Sequence, residues 1–393
     1  MTTTLYRRLA LLTQGGLDIY RNKTAMGMLR FRPDDVVCVI DAKHVGQDLQ
    51  TLTGVGAGIP IVGSIDEAVA LGIEWLVIGV ATPGGTLPAE IKVQVYDAIR
   101  HRIGIISGLH ESVNGDPNLV SLAARYAVEL VNLRKLPNED WHIGKAQARH
   151  TAAFRVLVVG TDANIGKTTS ALELERHLQG RGINARFVPT GQDGRLIKGH
   201  GVCIDRVIGH FASGVVEKLV CNEARHADIL IIEGQDSIFS PPYSGVSLAL
   251  LHGSCPDAMI LCHTPTRTHL RHTDIPMPPL QTCRRLYEDL LAPLHPGKVI
   301  GIALNTLGME AKDALAALGE SSKATGLPSA DVVRPMSGHD GCRVLADAVL
   351  AAWEAHCAQA RSVNPGKAVK ATKSAKPKKS ATRSARAVGK SEK

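Results

Sequence analysis

The stretch from Arg155 to Gly182, RVLVVGTDANIGKTTSALELERHLQGRG, leaves few folds open. Arg155 to Val159 is a short β-branched apolar run, long enough for one buried strand. Gly160 to Gly166 is a glycine-bounded loop, and Lys167, Thr168 and Thr169 follow at once. Ala171, Leu172, Leu174 and Leu178 recur at helical spacing, and Gly180 and Gly182 close that helix. Strand, glycine loop, Gly-Lys-Thr and helix form a phosphate cradle. The loop N–H groups and the helix N-terminus converge on one point and favour an anion there. Lys167 adds a full charge, and Thr168 offers a hydroxyl to Mg²⁺.

The spacing departs from G-x-x-x-x-G-K-[ST]. Residue 161, where the first Gly belongs, is Thr, and Gly160 lies one position early. The loop GTDxxxGKT resembles that of dethiobiotin synthetase and its relatives more than that of kinases or GTPases. The predicted phosphate-binding residues are Gly160, Thr161, Asp162, Asn164, Gly166, Lys167, Thr168 and Thr169, joined by Gln192.

A chain of 393 residues exceeds one ordinary core, so two domains are expected. The absence of an 18-residue apolar run argues against a membrane span, and MTTTLYRRLALLTQGG is too weakly apolar for a signal peptide. Eight scattered cysteines with no C-x-x-C fit a reduced cytoplasm. The net charge of +8 is uneven: residues 361–393 hold eight Lys, three Arg and one Glu, which leaves the rest at −2. Residues 359–393, rich in Lys, Ala, Ser and Pro, are predicted to be a disordered tail. It would touch nucleic acid or another polyanion only non-specifically.

Residues 1–150 alternate strand-like and helix-like segments, which predicts a Rossmann-like parallel sheet. Strands are expected at Leu9–Leu12, Val36–Ile40, Ile61–Val62, Trp75–Val80 and Ile103–Ser107. Ser64 followed by Glu67 reads as a capping box, and Asp116-Pro117 as a helix start. No G-x-G-x-x-G follows the first strand, so dinucleotide binding is weakly indicated. Polar clusters at strand ends are Lys23-Thr24, Arg30, Asp41, Pro83–Gly85 and Ser107–Glu111. Leu136 to His150 reads as the linker.

Residues 151–358 predict a second doubly wound parallel sheet, of the P-loop kind. Its strand ends gather the cradle, Gln192, Glu233, His263, Arg267 and Asn305 on one edge. Glu233 stands where an acid beside a P-loop holds Mg²⁺ directly or through water.

Motifs in both halves carry a wider resemblance: KTAMGMLRFRP, GVGAGIPIVGS, ATPGG and SGLHE, then GTDANIGKTTSALEL, PTGQDG, IIEGQDSI, YSGVSLALLHGSCPDAMILCH and GIALNT. Over residues 1 to about 357 the chain resembles a bacterial and archaeal family long described as a domain of unknown function. Members are associated with acetyl-CoA-dependent N-acetylation of D-glutamate. Two places depart from the expected pattern: Asp193-Gly194-Arg195, and Asp236 where a second Gly is expected.

The resemblance implies acyl transfer from acetyl-CoA to the amine of an amino acid, D-glutamate first. Such chemistry needs a base, an oxyanion donor and cations for carboxylates. Glu233, His252 and His263 are candidate bases, and Lys167 with the loop N–H groups is the candidate phosphate or oxyanion site. Arg267, Arg30 and Lys23 are candidate carboxylate clamps. ATP-dependent ligation, with Mg²⁺ on Thr168 and Glu233, fits the loop equally well. A nucleotide or CoA sensor without catalysis is the third reading. A symmetric homo-oligomer is expected of a large α/β enzyme.

Overall fold

Short apolar runs joined by helices can pair only in parallel, because each return crosses a face of the sheet. The computed structural model describes residues 5–14, 16–17, 22–80, 82–136, 141–334 and 340–363, and it has two such sheets. The first comprises β1 (Leu9–Leu12), β2 (Val36–Ile40), β3 (Ile61–Val62), β4 (Trp75–Ile78), β5 (Gly104–Ser107) and β6 (Leu130–Asn132). Their order, β3-β2-β1-β4-β5-β6, is that of a Rossmann sheet, with the topological switch between β1 and β4. The second comprises β7 (Phe154–Gly160), β8 (Ala185–Val188), β9 (Ile229–Glu233), β10 (Ala258–His263), β11 (Lys298–Leu304) and β12 (Ser329–Ala330). Its order is β12-β11-β10-β7-β9-β8.

Helices cover both faces of the second sheet, so β7 is buried at all seven positions and shows no polar alternation. Each of its buried Val and Leu side chains contributes about 2 kcal/mol from area alone. Arg155 in the same strand is 1% exposed. Its guanidinium meets Asp257 at 2.8 Å and donates to the Cys255 carbonyl at 2.9 Å, so the burial is paired. Cys262 lies opposite Gly160 in the register, which brings His263 beside Thr161.

Side-chain caps start some of the helices. Ser64 accepts from the Glu67 N–H at 3.2 Å, while Glu67 reaches past it to the Gly63 N–H at 3.1 Å. Asp116 accepts from the Asn118 N–H at 2.9 Å.

Several bounds differ from expectation. The sequence from Asp205 to Val220 reads as one helix, but a 3₁₀ turn, Ile204–Arg206, precedes a helix at Gly209–Glu223. β-branched Val207 and Ile208 followed by Gly209 resist a continuous helix, and Asp205 is thereby left in the turn. Thr190-Gly191-Gln192-Asp193-Gly194 reads in sequence as a loop after a strand, but Gln192–Lys198 is a helix. The last helix runs to Val363, beyond its expected end near Ala358, and residues 364–393 of the expected tail lie outside the described residues. The expected linker is docked where it is described: Glu217 accepts from the Lys145 and Gln147 N–H groups at 3.0 and 2.6 Å.

One of three core clusters joins the two sheets. The helix Lys23–Phe31 has Ala25, Met26, Met28 and Leu29 on its buried face, and these pack in one cluster with Ile165, Leu196 and Ile197. Arg30 then reaches Glu173 at 2.6 Å, and Arg32 donates to the Leu196 carbonyl at 3.2 Å. This docking turns the C-terminal strand ends of both sheets toward one space. No helix among the described residues is long and apolar enough to cross a membrane.

Candidate functional site

The space between the domains is a cleft of about 1900 Å³. That is roughly twice the upper range of a pocket for one drug-sized ligand, so a cofactor and a small substrate fit together. Strand ends of both sheets line it, as ligand sites of open α/β sheets require.

The cradle forms one wall. Asp162, Asn164, Gly166, Lys167, Thr168 and Thr169 line the cleft. Gly166 precedes the helix Lys167–Gly180 at φ +98°, a conformation that excludes a side chain without strain. The Lys167 ammonium, 7% exposed, donates to the Asp162 carbonyl at 2.7 Å. Burial pulls its pKa down, and Asp236 is the foremost charge opposing that shift. Gly160 and Thr161 lie beneath the cradle. The Gly160 carbonyl accepts from Tyr287 Oη at 2.7 Å, and Thr161 is fully buried. Gln192 lines the cleft from the neighbouring helix.

The predicted bases are placed elsewhere. Glu233 is 1% exposed and does not line the cleft. Its carboxylate accepts from Thr168 Oγ1 at 2.7 Å, the Thr190 N–H at 2.9 Å and the Gly191 N–H at 3.0 Å. Burial raises its pKa, and the three donors counter that rise. Gly194 is needed there, since a Cβ would lie 2.6 Å from the Glu233 carboxylate. Glu233 thus orients Thr168 and stands too deep for a cleft base or a direct Mg²⁺ ligand. His263 bonds Thr161 Oγ1 at 3.0 Å through Nδ1, and burial followed by the Arg267 charge lowers its pKa to about 4. It braces the loop from behind. His252 meets the Leu290 carbonyl at 3.0 Å, at a helix–helix contact away from the cleft.

The expected clamps also divide. Arg267 donates to the Asp162 carboxylate at 2.8 Å and the Ala163 carbonyl at 2.6 Å, so it holds the cradle's outer bend. Arg30 lines the cleft but is paired with Glu173. Lys23 lines the cleft 3.4 Å from Asp193. Asp193, one of the two departures, also accepts from Thr24, and Arg195 donates to the Lys135 carbonyl at 3.0 Å. This departure therefore strengthens the seam between domains. Asp236, the other, lines the cleft at φ +46°.

Arg134, Asp205 and Tyr243 complete the lining and were not singled out by sequence. Arg134 is 8% exposed. Its Nε donates to the Gly108 carbonyl at 2.6 Å, its Nη2 to Gln192 Oε1 at 3.0 Å, and its Nη1 to Asp205. His110, in the Ser107–Glu111 cluster, stands with Nε2 3.7 Å from Asp205.

Residues 142–340 match the family model described as "Domain of unknown function (DUF1611_C) P-loop domain". Residues 42–136 match "Domain of unknown function (DUF1611_N) Rossmann-like domain". The chain belongs to the DUF1611 family. It is 37% identical over 329 residues to a D-glutamate N-acetyltransferase of Tritonibacter scottomollicae, covering 82% of this chain and 93% of the relative. A D-glutamate N-acetyltransferase of a Pseudoalteromonas species is 38% identical over 276 residues, covering 69% of this chain and 81% of the relative. The crystal structure of a DUF1611 protein from Anabaena variabilis superposes with a TM-score of 0.82 at 35% identity, covering 88% of this chain and 99% of that one.

The DUF1611 cradle fits a phosphate-bearing ligand, with backbone donors, Lys167 and Thr168 on one wall. Among the described residues, no group of three or more His, Cys, Asp or Glu side chains is placed to hold a metal ion. Thr168 is the cradle residue placed to meet a Mg²⁺ brought in with phosphates.

Proposed function

We propose that this protein transfers the acetyl group of acetyl-CoA to the amine of an acidic amino acid, D-glutamate being the foremost candidate. The observation that carries this reading is the shared cleft. A phosphate cradle on one domain faces a polar wall of the other, across room for cofactor and substrate together. The names of two relatives at 37–38% identity support the acetyl acceptor. In this reading the pyrophosphate of CoA rests on the Asp162–Thr169 loop and Lys167, so no phosphate bond need break. Lys43 and Arg271 line the cleft, and neither side chain is in a hydrogen bond or close ion pair among the described residues, although the Arg271 charge reaches Asp236. They replace Arg30 and Arg267 as the cations available to the substrate carboxylates.

One observation favours a second reading. The Thr168 hydroxyl is tied to an acid at the end of the adjacent strand, an arrangement suited to Mg-ATP. Purified protein with D- or L-glutamate, given acetyl-CoA or Mg-ATP, separates the two. Thiol release that depends on D-glutamate is expected; phosphate release without thiol would overturn the acyl-transfer reading.

A further inference from the structure

We propose that His110, carried by the N-terminal domain, is the base that removes the substrate ammonium proton, and that Asp205 of the P-loop domain positions it. This rests on the acyl-transfer reading above. His110 follows β5 and lines the cleft with its side chain 38% exposed, so a small amine reaches it. The other histidines considered are spent: His263 on Thr161, and His252 on a carbonyl. Asp236 serves as the foremost opposing charge to Lys167.

The ring is bounded on two sides. The backbone of Gly85 packs so closely that a Cβ there would lie 2.6 Å from His110 Cδ2, and the Glu111 N–H donates to the Gly85 carbonyl at 2.9 Å. On the other side Nε2 faces Asp205 at 3.7 Å, beyond hydrogen-bond length, so Asp205 acts on the ring through its charge. Asp205 is held by Arg134, whose other nitrogens bind the Gly108 carbonyl and Gln192. Burial is the first cause lowering the His110 pKa. The facing charges are Arg134, Arg206 and Lys23, which lower it, and Asp205, which raises it. The imidazole is therefore neutral at neutral pH, as a base must be.

The step balances with acetyl-CoA as the only co-reactant. His110 takes one proton from the ammonium. The freed lone pair forms the N–C bond, and the C–S bond breaks. The second amine proton passes to the leaving thiolate, giving the thiol and the amide, and His110 returns its proton to water.

The test compares thiol release against pH for wild type, His110→Gln and Asp205→Asn, alongside NMR titration of the His110 ring. His110→Gln is expected to lower kcat about 100-fold or more, with KM for acetyl-CoA within about threefold, and to erase the acid limb of kcat/KM. A retained limb with kcat within about threefold overturns the proposal. Asp205→Asn removes the charge that favours the imidazolium, so the ring pKa should fall and the limb should move with it. An unmoved ring titration overturns the pairing. A wild type that releases no thiol sinks the acyl-transfer reading instead, and the ring titration then decides the His110–Asp205 pair alone.

Discussion

The two sheets are both six-stranded and parallel, but they differ in the strand beside the first and in the turn that leaves it. In the P-loop domain six residues, 161–166, separate β7 from its helix, and a left-handed Gly166 folds the backbone donors inward. In the N-terminal domain ten residues, 13–22, separate β1 from the helix Lys23–Phe31, and Asn22 precedes that helix at φ −112°. The acid at the end of β2, where a Rossmann sheet meets a ribose, is Asp41. It is fully buried and satisfied by Thr13 Oγ1 at 2.9 Å, the Lys43 N–H at 3.1 Å and His44 Nδ1 at 2.8 Å. The P-loop domain thus offers the cleft a glycine loop with Lys167 and Thr168, whereas the N-terminal domain offers Lys23, Lys43, His110 and Arg134. The strand order differs at the same place: β2 lies beside β1 in the first sheet, whereas β9, the third strand of the second sheet, lies beside β7 and brings Glu233 to Thr168.

The sharpest way to break this contrast is Lys167→Ala. If the P-loop wall holds the cofactor, turnover should fall about 100-fold or more, and stabilisation by CoA in a thermal melt should vanish. Unchanged turnover would mean that the cradle is idle. The side-chain wall is tested next by Arg134→Ala. Breaking a buried pair leaves Asp205 and Gln192 without their donor and should cost about 3 kcal/mol in urea unfolding.

Proton linkage gives a smaller, one-sided effect in the P-loop domain. His263 titrates near 4 when folded and near 6.5 when unfolded, so between those values the unfolded chain binds the extra proton. Its contribution is fully present above about pH 6.5 and is lost as pH falls toward 4, amounting to about 2 kcal/mol by pH 5. His263→Gln should flatten that acid loss in unfolding measured at pH 7 and pH 5. Smallest is Gly166→Ala, where a side chain at φ +98° should cost about 1 kcal/mol and weaken CoA binding. An unweakened complex would show that the inward fold of the loop is dispensable.

Sequence carried the strands and the cradle because both are local. A run such as Val36–Ile40 declares a buried strand by itself, and the observed β2 has those bounds. Gly-Lys-Thr between a strand and a helix likewise needs no distant partner. Arg134 was illegible because its partners Gln192 and Asp205 lie 58 and 71 residues away, and Asn132-Leu133-Arg134-Lys135 reads as a polar loop. His252 and His110 each sit among turn-like neighbours. Only the packing of the domains sends one to a helix contact and the other to the cleft. Arg267 looked like a free clamp because nothing local shows that Asp162 turns its carboxylate toward it.

The reach of Arg134 into the second domain also sets an order of events at the ribosome. Chains emerge from the N-terminus, and domains tend to fold as they appear. The first sheet is therefore complete while Gln192 and Asp205 are still being translated, and its guanidinium has only the Gly108 carbonyl to hold. His110 likewise waits for Asp205. A nascent or truncated chain that ends before Gln192 therefore lacks the cradle's neighbour helix and both partners of Arg134, and that side of the cleft is complete only once the second domain has docked onto the first.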